Sequence, residues 1–290
     1  MINTVVNGDC LSVMRNFEDN SIDMILTDPP YGIDILNSEW DYEKIEKLKE
    51  RSVDSVVKGM PVGMKFNPDD AKRLGIFINQ CAEQWIRILK PGSFCLVFSS
   101  ARSSHRVGVA IEDAGFEIRD QLIWDYGNGQ AKAQGMQNFI RKSKLENKEE
   151  LIEKLNGLKT PQLSPTFETI WLCQKPKEGK FLDNFIKWGT GLVDFRGGSK
   201  KVSFQYRKPN KEERDLAFNH PTLKPLDLLE DLIKTFSYEN QVILDTFSGS
   251  GSTCVAALRS NRRFIGIEKD VTWTDKSNLR IHRYVNRQTL

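Results

Sequence analysis

The sequence predicts an α/β fold with a mostly parallel sheet covered by helices on both faces. Three observations carry this: short apolar, β-branched runs bounded by turn residues, helical patterns lying between several of them, and a glycine turn that joins one run to a helix. The strand runs are residues 3–6, 22–27, 93–98, 117–124, 168–173, 241–244 and 264–267. Residues 70–89 read as the first long helix, with Leu74, Phe77, Ile78, Cys81, Trp85, Ile88 and Leu89 on one face, and Lys90-Pro91-Gly92 is expected to end it. Residues 102–114 form the next helical pattern, with Gly115 as its stop. Residues 226–236 and 253–259 complete the set.

Composition excludes several classes. Of 290 residues, 39% are hydrophobic and 28% charged, which excludes a disordered chain. No apolar run approaches a membrane span, and the N-terminus has no basic region before an apolar core, so neither a membrane location nor a signal peptide is expected. The five cysteines are widely spaced and never form C-x-x-C, so reduced, buried thiols in a cytoplasmic protein are expected. The three histidines are far apart, and no metal site is expected. The net charge of +3 neither demands nor excludes nucleic acid. Residues 34–69, 126–165 and 175–219 break the strand–helix rhythm and read as insertions. The sheet domain is then assembled from 1–33, 70–125, 166–174 and 220–290.

Val242-Ile243-Leu244-Asp245 leads into Thr246-Phe247-Ser248-Gly249-Ser250-Gly251-Ser252-Thr253 and a helix. Seventeen positions after Gly251 the next strand ends in Glu268. Glycines permit a tight turn and close approach to a ligand, and an acid at the next strand end can accept both hydrogen bonds of a ribose diol. Cys254 stands where a dinucleotide fingerprint has its third glycine, and no Gly-Lys-Ser/Thr follows, so S-adenosylmethionine fits better than NAD.

A second motif, Asp28-Pro29-Pro30-Tyr31, directly follows the buried run 22–27. Two prolines cannot extend a central strand, so the chain turns at its carboxyl end, where open parallel sheets bind ligands. A nucleobase amine is a poor nucleophile because its lone pair is delocalised into the ring. Asp28 offers a carboxylate and Pro29 a carbonyl of fixed direction around its two N–H bonds. These acceptors bind more strongly as positive charge grows on the nitrogen during attack on a sulfonium methyl. Tyr31 offers an aromatic face to an extruded base. No metal is required.

With these motifs the chain resembles the DNA amino-methyltransferases that modify adenine N6 or cytosine N4. The resemblance covers residues 6–31, 89–124, 167–195 and 220–270. Asn7-Gly8-Asp9-Cys10 resembles the N-terminal motif whose Asp approaches the cofactor's adenine. His220-Pro221-Thr222-Leu223-Lys224-Pro225 resembles the segment lining the methionine end. Asp245, Phe247, Gly249, Ser250 and Gly251, with Ser252 and Thr253 beyond them, match the cofactor loop, and Glu268 the ribose acid. Thr246 stands where the family commonly has Pro. The catalytic motif precedes the loop, as in the β group.

The resemblance implies a Rossmann-like, seven-stranded methyltransferase sheet with one reversed strand, S-adenosylmethionine as cofactor, and base flipping. It implies target recognition by 126–165 and 175–219, double-stranded DNA as partner, and a homodimer. A cognate restriction endonuclease leaves no mark in this chain's own sequence. Asp at position 28 resembles the adenine branch, cytosine N4 being the alternative. Two further alternatives are a dinucleotide-dependent oxidoreductase, which leaves Asp28–Tyr31 without a role, and an inactive DNA-binding module.

DNA contact is expected from a basic segment holding Lys200, Lys201, Arg207 and Lys208 with Phe204 and Tyr206 interleaved, and as a weaker candidate from a C-terminal run including Arg259, Arg262, Arg263 and Arg280. Residues 41–58, mixed in charge, read as an exposed helix.

Overall fold

The protein is described here from a computed structural model, which covers residues 2–31, 68–129, 133–161, 163–196 and 200–288. The expected charged helix over 41–58 lies outside these residues. The elements run β1 (Thr4–Asn7), α1 (Cys10–Met14), β2 (Ile22–Thr27), α2 (Pro68–Ile88), β3 (Leu89–Ser99), α3 (Ser104–Asp113), β4 (Glu117–Asp125), α4 (Met136–Lys142), α5 (Lys148–Lys154), β5 (Phe167–Gln174), α6 (Phe181–Trp188), β6 (Ser203–Gln205), α7 (Lys211–Leu216), α8 (Leu226–Phe236), β7 (Val242–Asp245), α9 (Ser252–Arg259), β8 (Arg263–Glu268) and α10 (Val271–Gln288). Among the described residues, no helix is long and apolar enough to cross a membrane.

The strands form one sheet in the order β1-β8-β7-β2-β3-β5-β4-β6. All seven expected strands are present, and β5 runs antiparallel to β3, as the single reversed strand requires. Among the described residues the sheet nevertheless has eight strands rather than seven. The added β6 lies in a stretch expected outside the sheet and pairs parallel with β4 through Ile123, Trp124 and Asp125. Only Phe204 of its three residues is buried, so no apolar period marks it.

Chain order opens a crevice at one edge of the sheet. After β2 the chain moves to β3 on one side, and after β7 it moves to β8 on the other, while β2 and β7 are neighbours. The connections therefore part at the carboxyl ends of β2 and β7, opening the crevice of a switch point. Every residue of β2 is buried, as a central parallel strand covered on both faces demands. Ile78, Cys81, Ala82, Trp85 and Ile88 of α2 are fully buried in the same core as Ile25 and Leu244. Each large side chain so buried contributes about 1.5–3 kcal/mol. The five cysteines are unpaired and buried.

Two boundaries differ from expectation. The long helix ends at Ile88, just ahead of Lys90-Pro91-Gly92 as expected, but β3 starts at Leu89 rather than at residue 93, because Leu89 already pairs with Ile22 and the register then slips before Met24. Gly92 adopts φ +79° at this irregularity, a conformation glycine tolerates. The second is α10, unanticipated as an element. Its Asn278 side chain accepts from the Val5 N–H at 3.0 Å and donates to the Val5 carbonyl at 2.9 Å, completing the ladder of edge strand β1.

Two compact units are present. Described residues of the first lie within 2–31, 68–125, 168–196 and 200–288 and contain the sheet strands. Described residues of the second unit lie within Tyr126–Phe167 and contain α4, α5 and an antiparallel bridge between Gly135 and Lys159.

Candidate active site

Hydroxyls knit the ends of β2 and β7 together. Thr27 Oγ1 donates to Asp245 Oδ1 at 2.8 Å and accepts from the Thr246 N–H at 3.2 Å. Thr246, where proline was the common residue, also places its own hydroxyl 3.2 Å from Thr27 Oγ1. This fixes the glycine turn beside the chain that leaves β2 for Asp28. Gly249 and Gly251 adopt φ +50° and +76°. Arg280 of α10, buried, donates to the Ser250 carbonyl and to Ser252 Oγ, both at 3.0 Å.

Asp28 and the glycine turn share one cleft, with about 420 Å3 of empty space including its open mouth. Thr222, Lys224, Asp245, Phe247, Gly249 and Ser250 line it too, as do Ser252 and Thr253. Residues expected from opposite ends of the chain thus meet at one rim. Others stand back from the cleft. Gly251 caps α9 and Pro225 caps α8. Asp9 follows β1 beside Glu268, since Asn7 pairs with Glu268, and its carboxylate caps α1 through the Ser12 N–H. Cys10 is buried in the core, its sulfur 4.0 Å from Cys81 Sγ. Glu268 accepts from the Gly249 N–H at 2.8 Å and the Asp270 N–H at 2.9 Å, and burial raises its pKa.

The Asp28–Tyr31 turn is more heavily engaged than its sequence suggests. Lys224 Nζ is ion-paired with Asp28 Oδ2. Tyr31 Oη lies 2.7 Å from Asp28 Oδ1 and 3.0 Å from Glu168 Oε2, and its one proton serves one acceptor at a time. Glu168 also lies 3.3 Å from Lys224 Nζ. Burial, then the Asp28 and Glu168 charges, push the Tyr31 phenol up, so it stays neutral. Burial works against the Lys224 ammonium, but the same two carboxylates outweigh it and raise its pKa. Glu168 escaped the sequence reading. Because β5 is reversed, its first residues reach the rim, Thr169 pairing with Ser99 at the end of β3.

The basic segments divide. Lys200, Lys201, Arg207 and Lys208 are exposed around β6. Of the interleaved aromatics, Phe204 is buried and so not available to bases, while Tyr206 is half-buried and its Oη donates to Asp231 at 3.0 Å. Much of the C-terminal run is structural. Arg262 is buried and donates to the Ser237 carbonyl, Arg259 pairs with Glu230, and Arg280 holds the glycine turn.

Burial pushes the Asp245 carboxyl up to about 6, against hydrogen bonds from Thr253, Thr27 and the Phe247 N–H. A cationic ligand in the cleft favours the ionised carboxylate. Its affinity is therefore expected to weaken as pH falls through about 6, and Asp245→Asn to flatten that dependence. Calorimetric titration with S-adenosylmethionine across this range checks it, a flat wild-type profile counting against the assignment.

A DNA methylase family model matches residues 22–277. The type II methyltransferase M.HindIII of Haemophilus influenzae is 31% identical over 93% of this chain and 92% of its own length. The M1.HpyAVI–SAM complex shares the fold at TM-score 0.58 and 18% identity, covering 96% of this chain and 98% of that one. The cytosine-N4-specific PvuII DNA methyltransferase does so at 0.60 and 17%, covering 98% and 93%. The matched family spans β2, the glycine turn and Glu268 alike, and the chain belongs to the N6/N4 DNA methylases.

Proposed function

We propose that this DNA methyltransferase transfers a methyl group from S-adenosylmethionine to adenine N6 in double-stranded DNA. The observation that carries the site assignment is the single cleft joining Asp28 to the Gly249 turn. Its donor set fits the cofactor: the Asp28 and Asp245 carboxylates and several hydroxyls face it, suiting a ligand with a sulfonium and an ammonium. Bound there, the cofactor supplies an electrophilic methyl group. The chain's residues do the rest. Asp28, with the Pro29 carbonyl, holds the target amine and stabilises the charge growing on it. Tyr31 presents its ring to the extruded base. Asp9 and Glu268 are assigned to the adenosine end, and Thr222 and Lys224 to the methionine end.

Asp at position 28 supports adenine over cytosine. The PvuII enzyme, cytosine-N4-specific, has the same fold, so architecture alone fits either base. Methylation of mixed-sequence DNA with base-resolved detection tests the reading: N6-methyladenine is expected, and N4-methylcytosine overturns it. No modified base at all would favour the inactive DNA-binding alternative.

We assign target recognition to 126–165 and 175–219, with phosphate contact at Lys200, Lys201, Arg207 and Lys208. Replacing Lys200 and Lys201 with Ala is expected to weaken DNA binding and to lower the log–log salt slope by up to about 2, close to one unit per lost phosphate contact. An unchanged slope removes this segment from the interface.

A further inference from the structure

Glu168 gives the Asp28 cluster a net charge that Asp28 and Lys224 alone would lack. Those two residues form a neutral ion pair, and a neutral pair attracts a nitrogen turning cationic only weakly. Glu168 adds a second carboxylate, 3.3 Å from Lys224 Nζ and 3.0 Å from Tyr31 Oη. With Tyr31 held neutral by burial and by both carboxylates, the cluster carries one net negative charge. The Lys224 ammonium is buried, with the rings of Phe98, Tyr31 and Trp124 centred 5.1, 5.6 and 6.0 Å away. It therefore divides its charge between the two carboxylates rather than passing it to water.

We propose that Glu168 is a positioning residue for methyl transfer: it draws on Lys224 and so leaves Asp28 with negative charge to offer the target amine. The proposal rests on the assignment of Asp28 above. Glu168 touches no reacting atom in this account and acts only through Lys224 and Tyr31. Gln at position 168 keeps the size and an acceptor for Tyr31 while removing the charge, which separates electrostatics from packing.

The test is the single-turnover rate of methyl transfer at saturating S-adenosylmethionine and DNA, with both dissociation constants measured alongside. E168Q is expected to slow transfer roughly 10–100-fold while both constants stay within about threefold. E168D keeps the charge and is expected to retain more than about a tenth of wild-type transfer. A rate for E168Q within about threefold of wild type overturns the proposal, as does an E168D rate no higher than that of E168Q, which would make the role of Glu168 purely structural. If E168Q loses cofactor binding through misfolding, E168D decides, and a fall as deep as that of D28N overturns the proposal. Wild-type transfer by D28N would instead refute the Asp28 assignment itself, whatever Glu168 does.

Discussion

Asp28→Asn is expected to slow methyl transfer by roughly 10²–10³-fold, the effect of losing one preorganised charge-stabilising group from a transition state. Asn preserves the shape and one acceptor, so the turn that follows β2 should persist. The negative charge facing the target nitrogen disappears. Lys224, deprived of Asp28, keeps Glu168 as its partner at 3.3 Å, so the ammonium is not left buried and alone and folding should survive. The loss should fall on the chemical step, with the dissociation constant for S-adenosylmethionine moving less than about tenfold. Transfer of a labelled methyl group under single-turnover conditions checks this, and a loss below about tenfold would show that Asp28 does not hold the amine.

Gly249→Val is expected to weaken S-adenosylmethionine binding by at least roughly tenfold, since a left-handed conformation costs a β-branched residue about 1–2 kcal/mol before any clash. Gly249 sits at φ +50°, and an added Cβ would lie 2.9 Å from His220 Nε2. His220 cannot easily retreat, because its ring packs edge-on against Trp273 with centroids 4.4 Å apart. The Gly249 N–H also donates to Glu268, so displacing the turn displaces the acid assigned to the ribose. Gly249→Ala, which adds the Cβ without the β-branch, is expected to lose less affinity than Gly249→Val. Calorimetric titration measures both, and wild-type affinity in Gly249→Val would place the cofactor elsewhere.

The elements that were legible from sequence are those whose environment is imposed by the sheet. β2, buried on both faces, shows an apolar run broken only by Asp23, which pairs with Lys90, before it ends at Thr27, and α2 shows one buried stripe. The glycine turn and Asp28-Pro29-Pro30-Tyr31 were legible because backbone geometry restricts them to few residue types. What escaped was decided by partners distant in sequence. β6 depends on one buried phenylalanine and the open edge of β4. Pro91 is tolerated within β3 because it falls at the register shift between the Ile22–Leu89 and Met24–Phe94 pairings, and its carbonyl accepts from Asn184 Nδ2 and Thr190 Oγ1 at 3.0 and 2.6 Å. Arg280 and Arg262 look like surface charge in sequence, yet both are buried on backbone carbonyls. Glu168 was missed for a topological reason. On a parallel strand the rim residue is the last one, but on a reversed strand it is among the first, so a lone Glu opening β5 carried no signal until its direction was known.

The central claim is spatial: one rim of the sheet brings the methyl donor to an amine held at Asp28. A crystal structure of the protein with DNA and a non-reactive S-adenosylmethionine analogue measures this directly. An extruded adenine is expected, its N6 within hydrogen-bond reach of Asp28 and about 3–3.5 Å from the position of the transferable methyl. An analogue seated away from the Gly249 turn, or an extruded base whose amine does not meet Asp28, would contradict it.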